Sequence, residues 1–425
     1  MRTEKRTAPW PKVPIKAVYS GFFDGVHGTP KVAAEGPVFL GIKNITEDGH
    51  LDLSDVRHIA EEDFPKWTRR VEPHPGDIVF TYEATLNHYA IIPEGFRGCL
   101  GRRLGLIRPD PQKVDTRFLF YYFFGDEWRR TIATNTIPGA TVERIPIISF
   151  PDFQITLPPL PTQHRIAAIL SAYDDLVENN NRRIKILEEI ARLIYHEWFV
   201  EFRFPGRNRI EAANRTASTV PSGWRLSTLA DVADINALTL NRDDRPDEIE
   251  YVDIASVSTG RIDKVQRLQF KDAPGRARRR VRHGDIIWSS VRPNRKSYSL
   301  VLYPGSNLVV STGFTVITPR AVLFSYLYPA TTTDGFVGYL TNHARGAAYP
   351  AVTSADFETA QILLPDEAVL KAYDEAVAPL YLEAALLTAK NTLLRRTRDL
   401  LLPRLISSEQ HVTLSGPQLS AGEAK

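Results

Sequence analysis

The residues best suited to chemistry in this chain are cations and hydroxyls in one segment, Ser289-Ser290-Val291-Arg292-Pro293-Asn294-Arg295-Lys296, which follows an apolar run and reads as a loop. Hydroxyls and cations bind phosphates, and arginine and asparagine can make paired hydrogen bonds to guanine and adenine edges. Just upstream, Arg276, Arg278, Arg279 and Arg280 could neutralise several backbone charges. Residues 261–300 hold 12 Lys and Arg against 3 Asp, within a chain whose formal net charge is only +3. A basic block concentrated on one folded segment points to a polyanion partner; the same block is also what a solvated arginine-rich face looks like. The matching first-half loop, Thr81-Tyr82-Glu83-Ala84-Thr85, is less basic, so Lys43, Asn44, Arg102 and Arg103 join Thr81 and Tyr82 as its candidates.

Catalytic patterns are missing. The glycines of Gly21 to Gly28 are not followed by the Gly-Lys of a phosphate loop, and there is no H-E-x-x-H or G-x-S-x-G. Asp24-Gly25-Val26-His27 comes nearest to a metal site and reads as a loop contact. A carboxylate two residues before a lysine, usual in metal-dependent nucleases, occurs only at Glu423-Ala424-Lys425, and no Asn/Asp-Pro-Pro-aromatic motif of amino-group methyltransferases is present. We therefore expect no catalytic and no metal-binding residues.

The elements that position these loops occur twice. Gly76-Asp77-Ile78-Val79-Phe80 returns as Gly284-Asp285-Ile286-Ile287-Trp288, an offset of 208, and each reads as a turn followed by a strand. Pro350-Ala351-Val352-Thr353 is expected to sit where Gly139-Ala140-Thr141-Val142 sat. Short runs at residues 38–42, 155–157 and 249–254 read as further strands, and the aromatic stretch 117–132 as a buried helix or helix pair. After each mixed α/β region comes a long stretch fit for one helix. In the first, Thr162 is a plausible N-cap after the stop formed by Pro158, Pro159 and Pro161, and no Pro or Gly follows until Pro205. Ile166, Tyr173, Asn180, Leu187 and Ile194 form one row at seven-residue spacing; Leu170, Val177, Ile184, Ala191 and Trp198 form a second. A third row (Ile169, Leu176, Ile190) widens the stripe beyond one neighbour. Asn180, a lone polar residue in the seam, is of the kind that fixes register. The second stretch repeats Tyr373, Leu380, Leu387, Leu394 and Leu401, with Val377, Ala384, Asn391 and Arg398 as a weaker row. Asn391 is the residue that could face Asn180. Pro379 is expected to kink or divide this helix and Pro403 to close it.

At 425 residues the chain has room for two or three domains. The boundaries expected are 1–157 and 223–364 for the two globular domains, 158–204 and 365–408 for the helices, 205–222 for a linker and 409–425 for a disordered tail. One cysteine, Cys99, excludes an internal disulfide and suggests a reducing compartment. No signal peptide or uninterrupted apolar span of about 18 residues is present.

The central region, Leu157-Pro158-Pro159-Leu160-Pro161-Thr162-Gln163-His164-Arg165-Ile166 through Trp198-Phe199-Val200-Glu201-Phe202, resembles the specificity subunits of type I restriction–modification systems. So do Arg398-Asp399-Leu400-Leu401-Leu402-Pro403-Arg404-Leu405-Ile406, and Pro221-Ser222-Gly223-Trp224 with Leu229-Ala230-Asp231-Val232. Residues 23–30 and 99–103 are similar to one recurrent class of target-recognition domain. The resemblance covers nearly the whole chain. It implies an α/β (α+β) fold of two target-recognition domains in pseudo-two-fold arrangement, separated by two long antiparallel helices that form a coiled-coil spacer. It implies that each domain reads half of a split double-stranded DNA target and that the helices set the gap. The helices would also dock two modification subunits, which methylate adenine, and restriction subunits would join them. S-adenosylmethionine, ATP and Mg belong on those partners, this chain holding no cofactor, and the setting is the bacterial or archaeal cytoplasm without a membrane. Two other readings are a stand-alone nuclease or methyltransferase with divergent motifs, and a coiled-coil adaptor that binds no nucleic acid.

Overall fold

The computed structural model describes residues 10–137, 142–205, 220–241, 244 and 246–406. The chain divides into two compact units, residues 1–178 with 392–425, and residues 179–391. Each unit takes part of both long helices.

The first unit contains strands β1 (Lys12–Pro14), β2 (Tyr19–Asp24), β3 (Ala33–Leu40), β4 (Arg57–His58), β5 (Ile78–Thr81), β6 (Tyr89–Ile91), β7 (Gly98–Leu100), β8 (Leu104–Pro109) and β9 (Gln154–Thr156). Its helices are α1 (Phe64–Trp67), α2 (Thr116–Tyr122), α3 (Asp126–Asn135) and the start of α4 (Leu160–Tyr195). One antiparallel sheet has the order β2-β8-β5-β6; a second, β4-β3-β7, pairs β3 and β7 in parallel; β1 pairs β9. Strand β5 is buried throughout, and apolar from Ile78 to Phe80, because both of its faces are covered. Ile78 and Phe80 enter a core with Phe118, Tyr122, Trp128 and Phe150, while Val79 enters another with Leu104 and Leu106. The aromatic stretch is a helix pair, α2 and α3. Asp115 caps α2 by accepting from the Phe118 amide at 2.8 Å.

The second unit repeats the plan with β10 (Arg225–Thr228), β11 (Ala233–Ile235), β12 (Glu248–Val252), β13 (Val257–Ser258), β14 (Arg261–Ile262), β15 (Gln266–Gln269), β16 (Ala277–Arg280), β17 (Ile286–Ser289), β18 (Tyr298–Leu300), β19 (Leu308–Ser311), β20 (Phe314–Pro319) and β21 (Gln361–Leu364). Its helices are α5 (Leu229–Val232), α6 (Phe324–Ala330), α7 (Asp334–His343), α8 (Ser354–Glu358) and most of α9 (Glu367–Ile406). The sheet β11-β20-β17-β18 copies the order of β2-β8-β5-β6. The sheet β15-β12-β19-β16 keeps the parallel pair, β12 with β19, and adds an edge strand, β16. Register is copied too: Ile78 pairs Ile107 and Ile91, and Ile286 pairs Ile317 and Leu300. Strand β17 divides its side chains as β5 does, Ile286 and Trp288 into one core and Ile287 into another. The turns before β5 and β17 use Gly76 at φ +87° and Gly284 at φ +86°, which an L side chain rarely adopts.

The long helices pack together. In the second unit the Asn180 side-chain amide donates to Asn391 Oδ1 at 2.8 Å, and Asn391 donates to Asn181 Oδ1 at 2.8 Å. Farther along, Tyr195 meets Tyr373 edge-on, so α4 ascends in number as α9 descends, and the two run antiparallel there. In the first unit Asp174 accepts from the Tyr121 hydroxyl at 2.5 Å and pairs with Arg398, while Leu402, Leu405 and Ile406 enter the core. The expected seam is inward: Ile166, Leu170, Val177, Asn180, Leu387 and Asn391 are buried, and Tyr173, Ile184, Leu187, Ile194, Trp198, Leu380, Leu394 and Leu401 are half-buried. In the third row Leu176 and Ile190 are exposed.

Several local expectations are corrected. Helix α4 starts at Leu160 with Pro161 in its first turn, where a missing amide costs nothing, so Thr162 is inside the helix rather than its cap. Helix α9 is not divided at Pro379. That residue faces solvent, and Tyr373, Val377, Tyr381 and Ala384 anchor the buried side around it. Pro403 lies within the last turns instead of closing the helix. Helix α4 passes into a π-helical turn, His196–Val200. Most of the expected linker, and all of the tail at 409–425, lie outside the described residues.

Candidate nucleic-acid interface

In the second unit the β17–β18 hairpin presents the basic loop. Arg292 (φ +51°) and Lys296 (φ +55°) bracket a single turn, Pro293–Arg295. Left-handed backbone at a non-glycine residue costs on the order of 1 kcal/mol, and it persists only where surrounding contacts hold it. Here they do. The Arg292 amide donates to Pro350 O at 2.7 Å, the Val352 amide to Ser290 O at 2.9 Å, and the Ser290 amide to Gly313 O at 2.9 Å. The Arg292 guanidinium donates to Ala348 O at 3.0 Å and lies 4.6 Å from the centre of the Tyr349 ring. Lys296 pairs with Asp334 at 2.8 Å, which raises its pKa. Asn294 and Arg295 stand exposed at the tip. The Thr312 amide donates to Arg276 O at 2.8 Å, so the turn at Thr312 and Gly313 ties the start of β16 to this loop. Of the β16 arginines, Arg280 is exposed and Arg278 lies over the Phe270 ring. Arg279 is half-buried; burial lowers its pKa, and its Nε has no hydrogen-bond partner. Ser289 is fully buried and donates to Val291 O; Ser290 bonds the Thr315 hydroxyl at 2.9 Å.

The first unit builds the same backbone with other side chains. Ala84 (φ +71°) stands where Arg292 does, three residues after its strand ends. Asn87 (φ +62°) matches Lys296, two residues before the next strand. The three hydrogen bonds recur: Ala84 N to Glu143 O at 3.0 Å, Ile145 N to Tyr82 O at 2.8 Å, and Tyr82 N to Arg103 O at 3.1 Å. Glu83 bridges Arg144, which bridges Ile137, as Val291 bridges Ala351 and Ala351 bridges Arg345. The equivalent of Ala351 in these bridges is therefore Arg144; Gly139, Ala140 and Thr141, to which the sequence match pointed, lie outside the described residues. Cations move from the hairpin to the β7–β8 turn. Arg103 (φ +78°) donates from Nε to Glu83 Oε1 at 3.0 Å, and Arg102 is exposed beside it. Asp24 accepts from Arg70 at 2.6 Å and bonds His27 at 2.9 Å, so the expected Asp24–His27 loop contact exists, with Arg70 as a third member. The Tyr82 phenol is raised chiefly by burial and next by the Asp24 carboxylate.

The remaining candidates separate by burial. Lys43 is exposed and paired to Asp55 at 2.5 Å. Asn44 is buried and spends its side chain on Gly41 N, Asp52 O and Asp55 O. Thr81 and Tyr82 are buried as well. Sequence reasoning passed over Glu83 because it looked only for positive charge, and over Arg70 and Tyr349 because their partners are remote in the chain. Among the described residues no group of three His, Cys, Asp or Glu is placed to hold a metal ion. Cys99 is buried, and burial pushes its thiol up to about 12.

Residues 42–189 match the family model for the type I restriction modification DNA specificity domain. The chain is 22% identical over 381 residues to the type I restriction enzyme MjaIX specificity subunit of Methanocaldococcus jannaschii, covering 84% of this chain and 82% of that relative. Residues 42–189 thus carry the DNA specificity domain of type I restriction–modification systems, and over most of its length the chain is similar in sequence to one of their specificity subunits. A second relative from the same organism, the putative MjaX specificity subunit, is 31% identical over 192 residues, 43% of each chain. In fold, the chain is similar to the crystal structure of the type I restriction–modification S subunit from M. genitalium, at TM-score 0.57 and 16% identity over 96% of this chain and 98% of that one. The subunit recognises a DNA target within the restriction–modification complex. It is not the catalytic component, and its family carries no cofactor of its own. Among the described residues no helix is long and apolar enough to cross a membrane.

Proposed function

We propose that each unit offers DNA the same composite surface, a hairpin loop with the adjoining sheet turn, and that each reads one half of a bipartite double-stranded target. The observation that carries this reading is the duplicated, left-handed hairpin, at Ala84 and Asn87 and again at Arg292 and Lys296. The contact groups are Arg102 and Arg103 in the first unit, and Arg278, Arg280, Ser290, Arg292, Asn294, Arg295 and Lys296 in the second, with Lys43 at the margin. Arg279, half-buried, acts through packing. The buried Asn44, Thr81, Tyr82 and Ser289 shape the loops from within.

The helices space the two readers and dock two modification subunits, with restriction subunits joining the assembly. Support comes from apolar side chains left exposed at helical spacing: Ile186, Ile190 and Leu193 on α4, and Leu386, Leu393 and Leu400 on α9. S-adenosylmethionine, ATP and Mg then belong to those partners.

The test is methylation mapping with the assembled modification complex. Exchanging residues 290–297 for the matching loop of another specificity subunit should change one half of the modified motif and leave the other half and the gap intact. An unchanged motif in a complex that still methylates would overturn the reading. Four residues added to α4, with four in α9 to keep Asn180 opposite Asn391, lengthen the pair by about 6 Å. The gap should then grow by about two base pairs at roughly 3.4 Å each.

A further inference from the structure

One pair of charges in the first unit has no counterpart in the second. Glu83 lies on the hairpin loop next to the left-handed Ala84, and Arg103 is itself left-handed at φ +78°. Their side chains meet at 3.0 Å and are about equally open to solvent, 27% for Glu83 and 30% for Arg103. By the duplicated hydrogen bonds, Val291 occupies the place of Glu83 and Gly313 the place of Arg103. The second unit closes the same backbone with neither charge, so the fold does not require the pair. The first unit nevertheless keeps a strained arginine there. It also sets a carboxylate on a surface whose partner is a polyanion, where an unneutralised acid repels.

An acid at a DNA-facing surface is useful when it is held by a cation and aimed at a base. A carboxylate accepts from the exocyclic amino group of cytosine, a donor exposed in the major groove. Arg103 does the holding: its Nε binds one carboxylate oxygen. Asp24 sits nearby with its acceptors already committed to Arg70 and His27, which leaves Glu83 as the available acid of the cluster.

We propose that Glu83 is a specificity-determining residue that reads a cytosine amino group in the half-site of the first unit, with Arg103 as its positioning residue. This rests on the reading of the hairpin as the DNA-facing surface.

The experiment uses the full subunit assembled with its modification subunits, and maps methylation on a library of randomised targets. Glu83→Ala should relax one position of one half-site, with about a tenfold loss of preference for cytosine over the other bases. Glu83→Gln keeps the shape and the bond from Arg103 but brings its own amide donors; it should shift that position toward adenine. Arg103→Ala should blur the same position, and Arg103→Lys should restore it in part. A motif unchanged by both Glu83 variants overturns the proposal. If Glu83→Ala does not assemble, the isosteric Glu83→Gln decides alone. Exchanging the whole first unit is the control for the underlying reading. A motif that changes with the exchange but not with Glu83 defeats only this assignment, whereas a motif indifferent to the exchange defeats the reading itself.

Discussion

The two turn-and-strand segments at Asp77 and Asp285 are the same backbone, with an ion pair at the first and none described at the second. Each aspartate is buried and accepts a turn amide, Asp77 from His74 at 2.8 Å and Asp285 from Arg282 at 2.7 Å. Asp77 also receives two 2.8 Å bonds from the Arg108 guanidinium on β8. At the equivalent place on β20 stands Thr318, and Asp285 has no ion pair among the described residues. Burial raises its pKa, tempered by the Arg282 amide and the Thr318 hydroxyl. The turn geometry, copied with its positive-φ glycine, is thus what the fold needs. The ion pair is an addition that one copy has and the other does without.

The largest effect should separate these two aspartates. Asp77→Asn strands Arg108 against a neutral partner and should cost ~2–3 kcal/mol, read by denaturant unfolding. Asp285→Asn keeps the turn acceptor, removes a desolvated charge and should be neutral or slightly stabilising. Equal losses at both sites would break the comparison.

The helix seam offers the next contrast, between a satisfied and an orphaned amide. Asn391→Leu leaves buried Asn180 without its acceptor and should cost about 2 kcal/mol. Replacing both by Leu should recover that loss while loosening register, seen as heterogeneous assembly with the modification subunits.

A smaller effect sharpens the aspartate comparison through pH. An aspartate in the unfolded chain titrates near ~3.9, and the folded Asp285 is raised above that. Between those two values the folded state binds the extra proton, so the Asp285 contribution is fully favourable at low pH and falls as pH rises through the folded value. Asp285→Asn should flatten that slope in unfolding measured across the acidic range, and a slope unchanged by it would contradict the burial argument.

Smallest are the single surface cations. Arg295→Ala on the hairpin and Arg102→Ala on the β7–β8 turn should each reduce the salt slope of DNA binding by about 0.9 if each meets one phosphate. An effect at only one of them would mean that the two units do not present the same surface.

Much of this was legible in the chain itself. Heptad spacing marked both helices, and the Gly-Asp repeat marked the copied turn, because periodicity and positive-φ glycines are local properties that need no distant partner. Asn180 and Asn391 were visible as the polar exceptions in their rows. A local rule failed where burial overrode it: Pro379 sits inside an unbroken helix because it faces water while its neighbours are anchored. The hydrogen bonds by which the candidate Asn44 closes its own loop could not be read from its residue type. The bond from Arg103 to Glu83, the Arg292 guanidinium over Tyr349 and the choice of Arg108 or Thr318 beside a buried aspartate were decided only by folding. Each joins residues on different strands or loops, and pairings of that kind are set by sheet register and turn backbone, which no single stretch of sequence carries.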